Sequence, residues 1–343
     1  MQVNLISDTV TKPSKAMLEA MSLASVGDDV FKEDPSVNAL EEEVATLFGK
    51  EAALFFPSGT MTNQTAIKLH TQPGEQLICD HYSHVYHYEG GGVSFNSGVS
   101  CRLIEGDRGR INANQIADVI NPPDFYHSPK TTLVSLENTT NKGGGAVYDF
   151  DEILKIRALC DQNELALHLD GARLWNALEV SNETPKDYGA VFDTLSLCFS
   201  KGLGCPVGSV LVGSHAVIEK ALRIRKVLGG GMRQAGYLAA AASFALKNHR
   251  SDLRNDHRKA AEIAAVLQDS SIVASVEPVE TNIVIFALKP GEEEQNFILK
   301  MKEEGILLIA LGKGKLRMVT HRDYTEEQHE YVLTTLTKMN SNE

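Results

Sequence analysis

The sequence has no CxxC pair, no run of 18 apolar residues, no internal repeat and no low-complexity tract. Each absence removes a class of protein. The five cysteines, at 79, 101, 160, 198 and 205, are odd in number and irregular in spacing. That excludes a disulfide framework and a sulfur-rich zinc site, and it predicts buried free thiols in a reducing compartment. Without a long apolar run there is no candidate membrane-spanning helix. Met1 to Asp8 lacks the basic-then-apolar pattern of a secretion signal, so a cytoplasmic location is expected. Positive charge is also scarce, with 33 Lys and Arg against 45 Asp and Glu and a formal net charge of -12. Binding a nucleic-acid backbone or an anionic membrane needs concentrated positive charge. The one basic run, Arg223, Arg225 and Lys226, carries no interleaved aromatics. Neither partner is expected.

What is present is ordinary globular material. The 343 residues are 43% hydrophobic and 23% charged, enough for one large and one small domain. After a helical pattern through Met17, Leu18 and Met21 comes a polar, punctuated loop from Gly27 to Pro35. Ser36 is read as the cap of the next helix, which carries Leu40, Val44 and Leu47 on one face. Short apolar runs then alternate with helical segments. Strands are predicted at 52–56, 77–79, 101–104, 131–136, 165–169, 195–199 and 207–212, with helices at 60–70 and 150–162 among them. This is the grammar of an open α/β sheet covered on both faces. The composition changes after Gly229-Gly230-Gly231. Helices near 234–247 and 253–267 lead into strands near 282–286, 306–309 and 316–319. The expected division is 1–249, an N-terminal segment with the large domain, and 250–343, a small α+β domain.

Three short stretches sit just beyond predicted strands, where open α/β sheets place ligands. Pro57-Ser58-Gly59-Thr60 opens a helix whose first N–H groups can hold a phosphate; read alone it is also a capped turn. It is neither a GxxxxGK[ST] loop nor a GxGxxG fingerprint. Asp170, in Leu169-Asp170-Gly171-Ala172-Arg173, could pair with a protonated ring nitrogen or cap a turn, and Arg173 could grip a carboxylate. Lys201, in Ser200-Lys201-Gly202-Leu203-Gly204, has the fixed, partly desolvated position that a Schiff-base lysine needs. Together they supply a phosphate cradle, a pyridine-nitrogen partner and an amine, the parts that pyridoxal 5'-phosphate requires.

With these stretches in view, the chain resembles the low-specificity L-threonine aldolases, β-eliminating lyases with the aspartate-aminotransferase fold. The resemblance covers nearly the whole chain. It is carried by Ser7 to Thr11, Gly27 to Val30, Glu33-Asp34-Pro35, Ser58 to Asn63, Leu136 to Thr139, Asp170 to Arg173, Ser200 to Gly204 and Gly229 to Gln234. It implies a mostly parallel seven-stranded sheet in the large domain. It implies retro-aldol cleavage of L-threonine, L-allo-threonine and related β-hydroxy-α-amino acids to glycine and an aldehyde; β-elimination on a small amino acid is the alternative. Lys201 matches the lysine that carries the cofactor, flanked by Ser200. Asp170 matches the pyridinium partner, and Gly59 and Thr60 the phosphate cradle. Ser7, Arg173 and Arg317 match the groups that hold the substrate carboxylate. His84 matches a ring-stacking histidine, with Glu89 at the family's spacing, and His127 a histidine near the substrate hydroxyl. Lys226 and Arg233 match residues that reach a neighbour's cofactor phosphate, which implies a homotetramer of dimers with shared sites. One departure stands out: Thr140 replaces a histidine common at that place. His81, His84 and His87 lie three apart and invite a zinc reading. The family accounts for His84 without metal, and no metal site is expected.

Overall fold

The computed structural model describes residues 1–341. The chain opens with strand β1 (Val3–Asn4). Then come β2 (Ala52–Phe56), β3 (Gln76–Asp80), β4 (Ser100–Ile104), β5 (Thr131–Glu137), β6 (Ala166–Gly171), β7 (Thr194–Cys198) and β8 (Ser209–Gly213). Together β2 to β8 form a seven-stranded sheet in the order β2-β8-β7-β6-β5-β3-β4. Only β8 runs against its neighbours; the pairs β7–β6, β6–β5, β5–β3 and β3–β4 are parallel. Every residue of β3, β7 and β8 is buried. A sheet covered on both faces explains why these strands read as unbroken apolar runs rather than alternating ones. This is the doubly covered α/β architecture expected from the sequence.

A four-stranded antiparallel sheet follows, formed by β9 (Val273–Val276), β10 (Ile283–Leu288), β12 (Ile309–Gly312) and β13 (Lys315–Val319), while β11 (Ile306–Leu307) pairs with β1. Its apolar core includes Ile263, Phe286, Met301 and Met318. Val3 and Leu5 also belong to this core, so the first strand packs with the small layer and not with the large sheet. A two-residue strand leaves no periodic pattern in the sequence. Among the described residues no helix is long and apolar enough to cross a membrane. All five cysteines are free, four of them buried.

One helix start differs from expectation. The helix Pro35–Phe48 is capped by Asp34, whose side chain accepts from the N–H groups of Ser36 and Val37, and not by Ser36. Proline suits the first helical position because its missing N–H would have had no partner there. Asp34 also accepts the N–H of Gly236 at 2.8 Å. One buried carboxylate therefore fixes the starts of two helices, and a β-carbon on Gly236 would collide with it.

Candidate active site

The C-terminal ends of β2, β5, β6 and β7 share one edge of the large sheet. From β2 the chain turns into the helix Gly59–His70, where the Ser58 hydroxyl accepts the Met61 N–H at 3.2 Å. The N–H groups of Gly59 and Thr60 have no acceptor among the described residues. A β-carbon on Gly59 would run into Cys198 Sγ at the end of β7. Glycine lets the helix start lie against the sheet edge with its free donors forward, the arrangement that suits a phosphate.

The next layer of the site is built around Asn63, one turn into that helix. Its amide donates to Glu89 Oε1 and to Asp170 Oδ2, both at 2.9 Å. Its carbonyl accepts from Ser196 at 2.7 Å and faces His168 Nε2 at 3.2 Å. Burial drives the His168 pKa down to about 4, so the ring is neutral at pH 7. With its Nε2 proton on Asn63, its Nδ1 accepts from Thr194 Oγ1, 2.9 Å away. Asp170 also accepts the Ala172 N–H at 3.0 Å. Asp170 is thus held at a fixed angle by one donor on each oxygen, Asn63 on Oδ2 and Ala172 on Oδ1. Glu89 in turn holds His84, with Nδ1 at 3.0 Å from Oε1. Burial opposes a charge on His84, but the Glu89 bond and the charges of Asp170 and Glu137 outweigh it and raise its pKa.

His84 lines a cavity of about 410 Å³ together with Ser7, Glu137, Arg173, Lys201 and Arg317. Lys201 Nζ enters it without a hydrogen bond or ion pair among the described residues, while its carbonyl accepts from Thr11 at 2.8 Å. Opposite, Arg173 is buried and gives Nε and Nη2 to Asp8, at 2.8 and 2.6 Å. Burial resists the Asp8 charge, yet the Arg173 pair and its hydrogen bonds bring the carboxyl down to about 2. Arg317 has no such partner. Its Nη1 donates to Asn141 Oδ1 at 2.8 Å and its Nη2 to the Ile6 carbonyl at 3.1 Å. Its buried Nε has no acceptor, and no carboxylate pairs with it among the described residues. Burial first and the Arg173 charge second lower its pKa to about 10. A buried cation left without an anion is costly. An amino-acid carboxylate placed between Arg317, the free Nη1 of Arg173 and Ser7 relieves it.

Other expected residues lie elsewhere. His127 is on an exposed loop, its ring tilted against Tyr126 with ring centres 3.9 Å apart, and does not line the cavity. Ser200 is half-buried beside Lys201 with no side-chain bond among the described residues. Lys226 is exposed, and Arg233 pairs with Asp28 at 3.0 Å. Their loop nonetheless touches the phosphate turn of the same chain, since a β-carbon on Gly230 would meet Met61 Sδ. Thr140 is buried and donates to the Arg108 carbonyl at 2.9 Å, away from the cavity. His81 and His87 do not join His84: the one gathered set of possible metal ligands among the described residues is His84, Glu89 and Asp170.

Four side chains that shape the site, Asp8, Asn63, Glu137 and Asn141, were not marked as site residues by sequence. Each lies within or beside one of the stretches quoted for the resemblance, and that is the signal that could have found them. The whole set fits pyridoxal phosphate. Free helix N–H groups could hold a phosphate, Asp170 could face a ring nitrogen, His84 could offer a face for the ring, and Lys201 has an amine without a competing partner among the described residues.

The comparisons agree with the geometry. The family profile described as beta-eliminating lyase matches residues 4–290. Low-specificity L-threonine aldolase 1 of Arabidopsis thaliana is 40% identical over 340 residues, covering 97% of this chain and 94% of the relative. The low specificity L-threonine aldolase of Escherichia coli strain K12 is 41% identical over 328 residues, covering 95% and 96%. A solved structure of Leishmania major threonine aldolase shares the fold, with a TM-score of 0.86 at 21% identity over 98% of this chain and 99% of that one. A catalytic edge of this construction and relatives of this identity together establish that the chain belongs to the beta-eliminating lyases, in the low-specificity L-threonine aldolase family.

Proposed function

We propose that this protein is a pyridoxal phosphate-dependent aldehyde-lyase that cleaves L-threonine, L-allo-threonine and related β-hydroxy-α-amino acids to glycine and an aldehyde. The observation that carries the reading is the pairing, in one cavity, of a Lys201 amine without a partner and a buried Arg317 without an anion among the described residues. The first is what an aldehyde cofactor requires and the second is what an α-carboxylate requires.

Bound cofactor supplies a conjugated, positively charged ring that accepts the electron pair left at Cα when the Cα–Cβ bond breaks. The chain's own residues do the rest. Gly59 and Thr60 would hold the phosphate end, Asp170 would favour a proton on the ring nitrogen, and His84 would cover the ring face. Ser7, Arg173 and Arg317 would clamp the carboxylate and so fix rotation about Cα. Holding one reactive geometry in place of many is a large part of the rate. Asp8 keeps Arg173 charged and in position without occupying its Nη1.

His127 reaches such a site only from a neighbouring copy. Lys226 and Arg233 are read as phosphate-side cations in a homotetramer built from dimers with shared sites. β-Elimination uses the same anchors but needs a group that leaves Cβ with its electrons, and its products differ. To test the assignment of Lys201, the cofactor-loaded protein is reduced with borohydride and its peptides are mapped. Cofactor attached at Lys201, with threonine consumption abolished in Lys201→Ala, supports the reading; attachment at another lysine refutes it.

A further inference from the structure

Of the three titratable groups in the cavity to which the mechanism above gives no work, Tyr88, Glu137 and Lys142, only Glu137 is buried. Glu137 is the last residue of β5, side by side with Asp170 of β6 in the strand register. It lines the cavity yet is only 6% exposed. Its two oxygens accept one backbone N–H each, Oε1 from Asn141 at 2.7 Å and Oε2 from His84 at 2.8 Å. A carboxylate oxygen can accept more than one bond, so both retain acceptor capacity toward the cavity. The backbone N–H groups of His84 and of Asn141, whose side chain accepts from Arg317, tie Glu137 to both walls between which the substrate would lie.

We propose, resting on the aldol-cleavage reading, that Glu137 is a further catalytic residue: the carboxylate that takes the proton from the substrate's β-hydroxyl as the Cα–Cβ bond breaks. The oxygen–hydrogen pair becomes the second bond of the aldehyde carbonyl, the Cα–Cβ pair stays with Cα, and the proton rests on Glu137. Cα then takes a proton from the ammonium form of Lys201. The proton on Glu137 returns to that amine through cavity water, so the enzyme ends as it began.

The surroundings suit this work. Burial first, and the neighbouring Asp170 charge second, raise the Glu137 pKa to about 7, against the pull of the two backbone donors and His84. A base works best when its pKa is near the working pH. The other titratable or charged groups of the cavity are Tyr88, Lys142, Arg173, Lys201 and Arg317, and Tyr148 interacts with Glu137 from outside it, its phenol kept neutral by burial. Among the described residues His127 of the same chain is exposed and does not line the cavity.

The test compares wild type, Glu137→Gln and Glu137→Asp, each loaded with pyridoxal phosphate. Infrared difference spectra across the neutral range read the carboxyl directly. Wild type is expected to show a buried carboxylic acid signal that disappears as pH rises through about 7 and is absent from Glu137→Gln. Two reactions are then measured in each protein: threonine cleavage, and exchange of the glycine Cα hydrogen in heavy water, which involves no hydroxyl. Glu137→Gln is expected to lose about 10²-fold or more in cleavage, the scale of a general base, while glycine exchange stays within a few-fold. Glu137→Asp should recover part of the cleavage with a displaced pH profile. Equal loss of both reactions would make Glu137 merely structural, and unchanged cleavage would make it irrelevant; either overturns the proposal. If wild type cleaves no threonine at all, the parent reading fails instead, a different result from either.

Discussion

Replacing Asp8 by Asn keeps the side chain's shape and removes its charge. In the native protein the carboxylate forms two hydrogen bonds with Arg173 and one, at 3.2 Å, with Asn282. Both members of the ion pair are almost fully buried, with side-chain exposures of 4% and 0%. The fall of the carboxyl from 3.8 to about 2 corresponds to about 2.4 kcal/mol at neutral pH. The substitution also leaves Arg173 charged and buried beside Arg317, and breaking such a pair typically costs about 3–5 kcal/mol in total. That is a large share of an ordinary folding stability of about 5–15 kcal/mol. Asp8 has a depressed pKa, so its contribution is fully present above 3.8 and is lost as pH falls through about 2. Urea unfolding of the cofactor-loaded proteins should therefore show a constant gap between pH 5 and 8 that narrows in acid. The variant should also bind amino acids poorly, because Arg173 is no longer held with Nη1 forward. A gap below about 1 kcal/mol at neutral pH, with equal denaturant slopes, would refute the reasoning, since the pair would then carry little net energy.

Three other perturbations follow from the same geometry. Gly59→Ala puts a methyl against Cys198 Sγ, an overpacking worth about 1–3 kcal/mol; the dissociation constant for pyridoxal phosphate should rise about tenfold or more, and adding Cys198→Ala should recover most of it, whereas no recovery means that the clash lies elsewhere. Asp256 is 1% exposed, and burial, only partly offset by Lys259, raises its carboxyl to about 8. A raised pKa favours folding below 3.8 and loses that contribution as pH rises through about 8, so Asp256→Asn should gain stability relative to wild type with rising pH; parallel curves would disprove it. Mixing subunits of Lys201→Ala with Arg233→Ala, each inactive alone, should restore activity in hybrids confirmed by mass spectrometry, and confirmed hybrids without activity would put Arg233 to work in its own chain or nowhere.

Much of the site was legible because its anchors follow apolar strands. Asp170 and Lys201 are polar residues where a buried run stops, and Gly59-Thr60 sits where a strand turns into a helix. Each signal is local. What escaped is what depends on the tertiary register. Asp8 and Arg173 are 165 positions apart, and nothing near either one announces the other. Asn63 looks like any helical polar residue until the sheet brings Glu89 and Asp170 to its two amide protons. Glu137 becomes a neighbour of Asp170 only through the pairing of β5 with β6. The cap at Asp34 was within reach, since Pro35 marks the first helical position. The placement of Val3 and Leu5 in the small layer was not, because two residues carry no period.

The central claim is the bond that breaks, and the products report it most directly. Protein saturated with pyridoxal phosphate is given L-threonine, L-allo-threonine and, as a control, L-serine, and every product is quantified. Cleavage between Cα and Cβ predicts glycine and acetaldehyde in equal amounts from both threonine diastereomers, without release of ammonia. Ammonia with 2-oxobutanoate from threonine, or with pyruvate from serine, in place of glycine would contradict the account and assign this cavity to elimination.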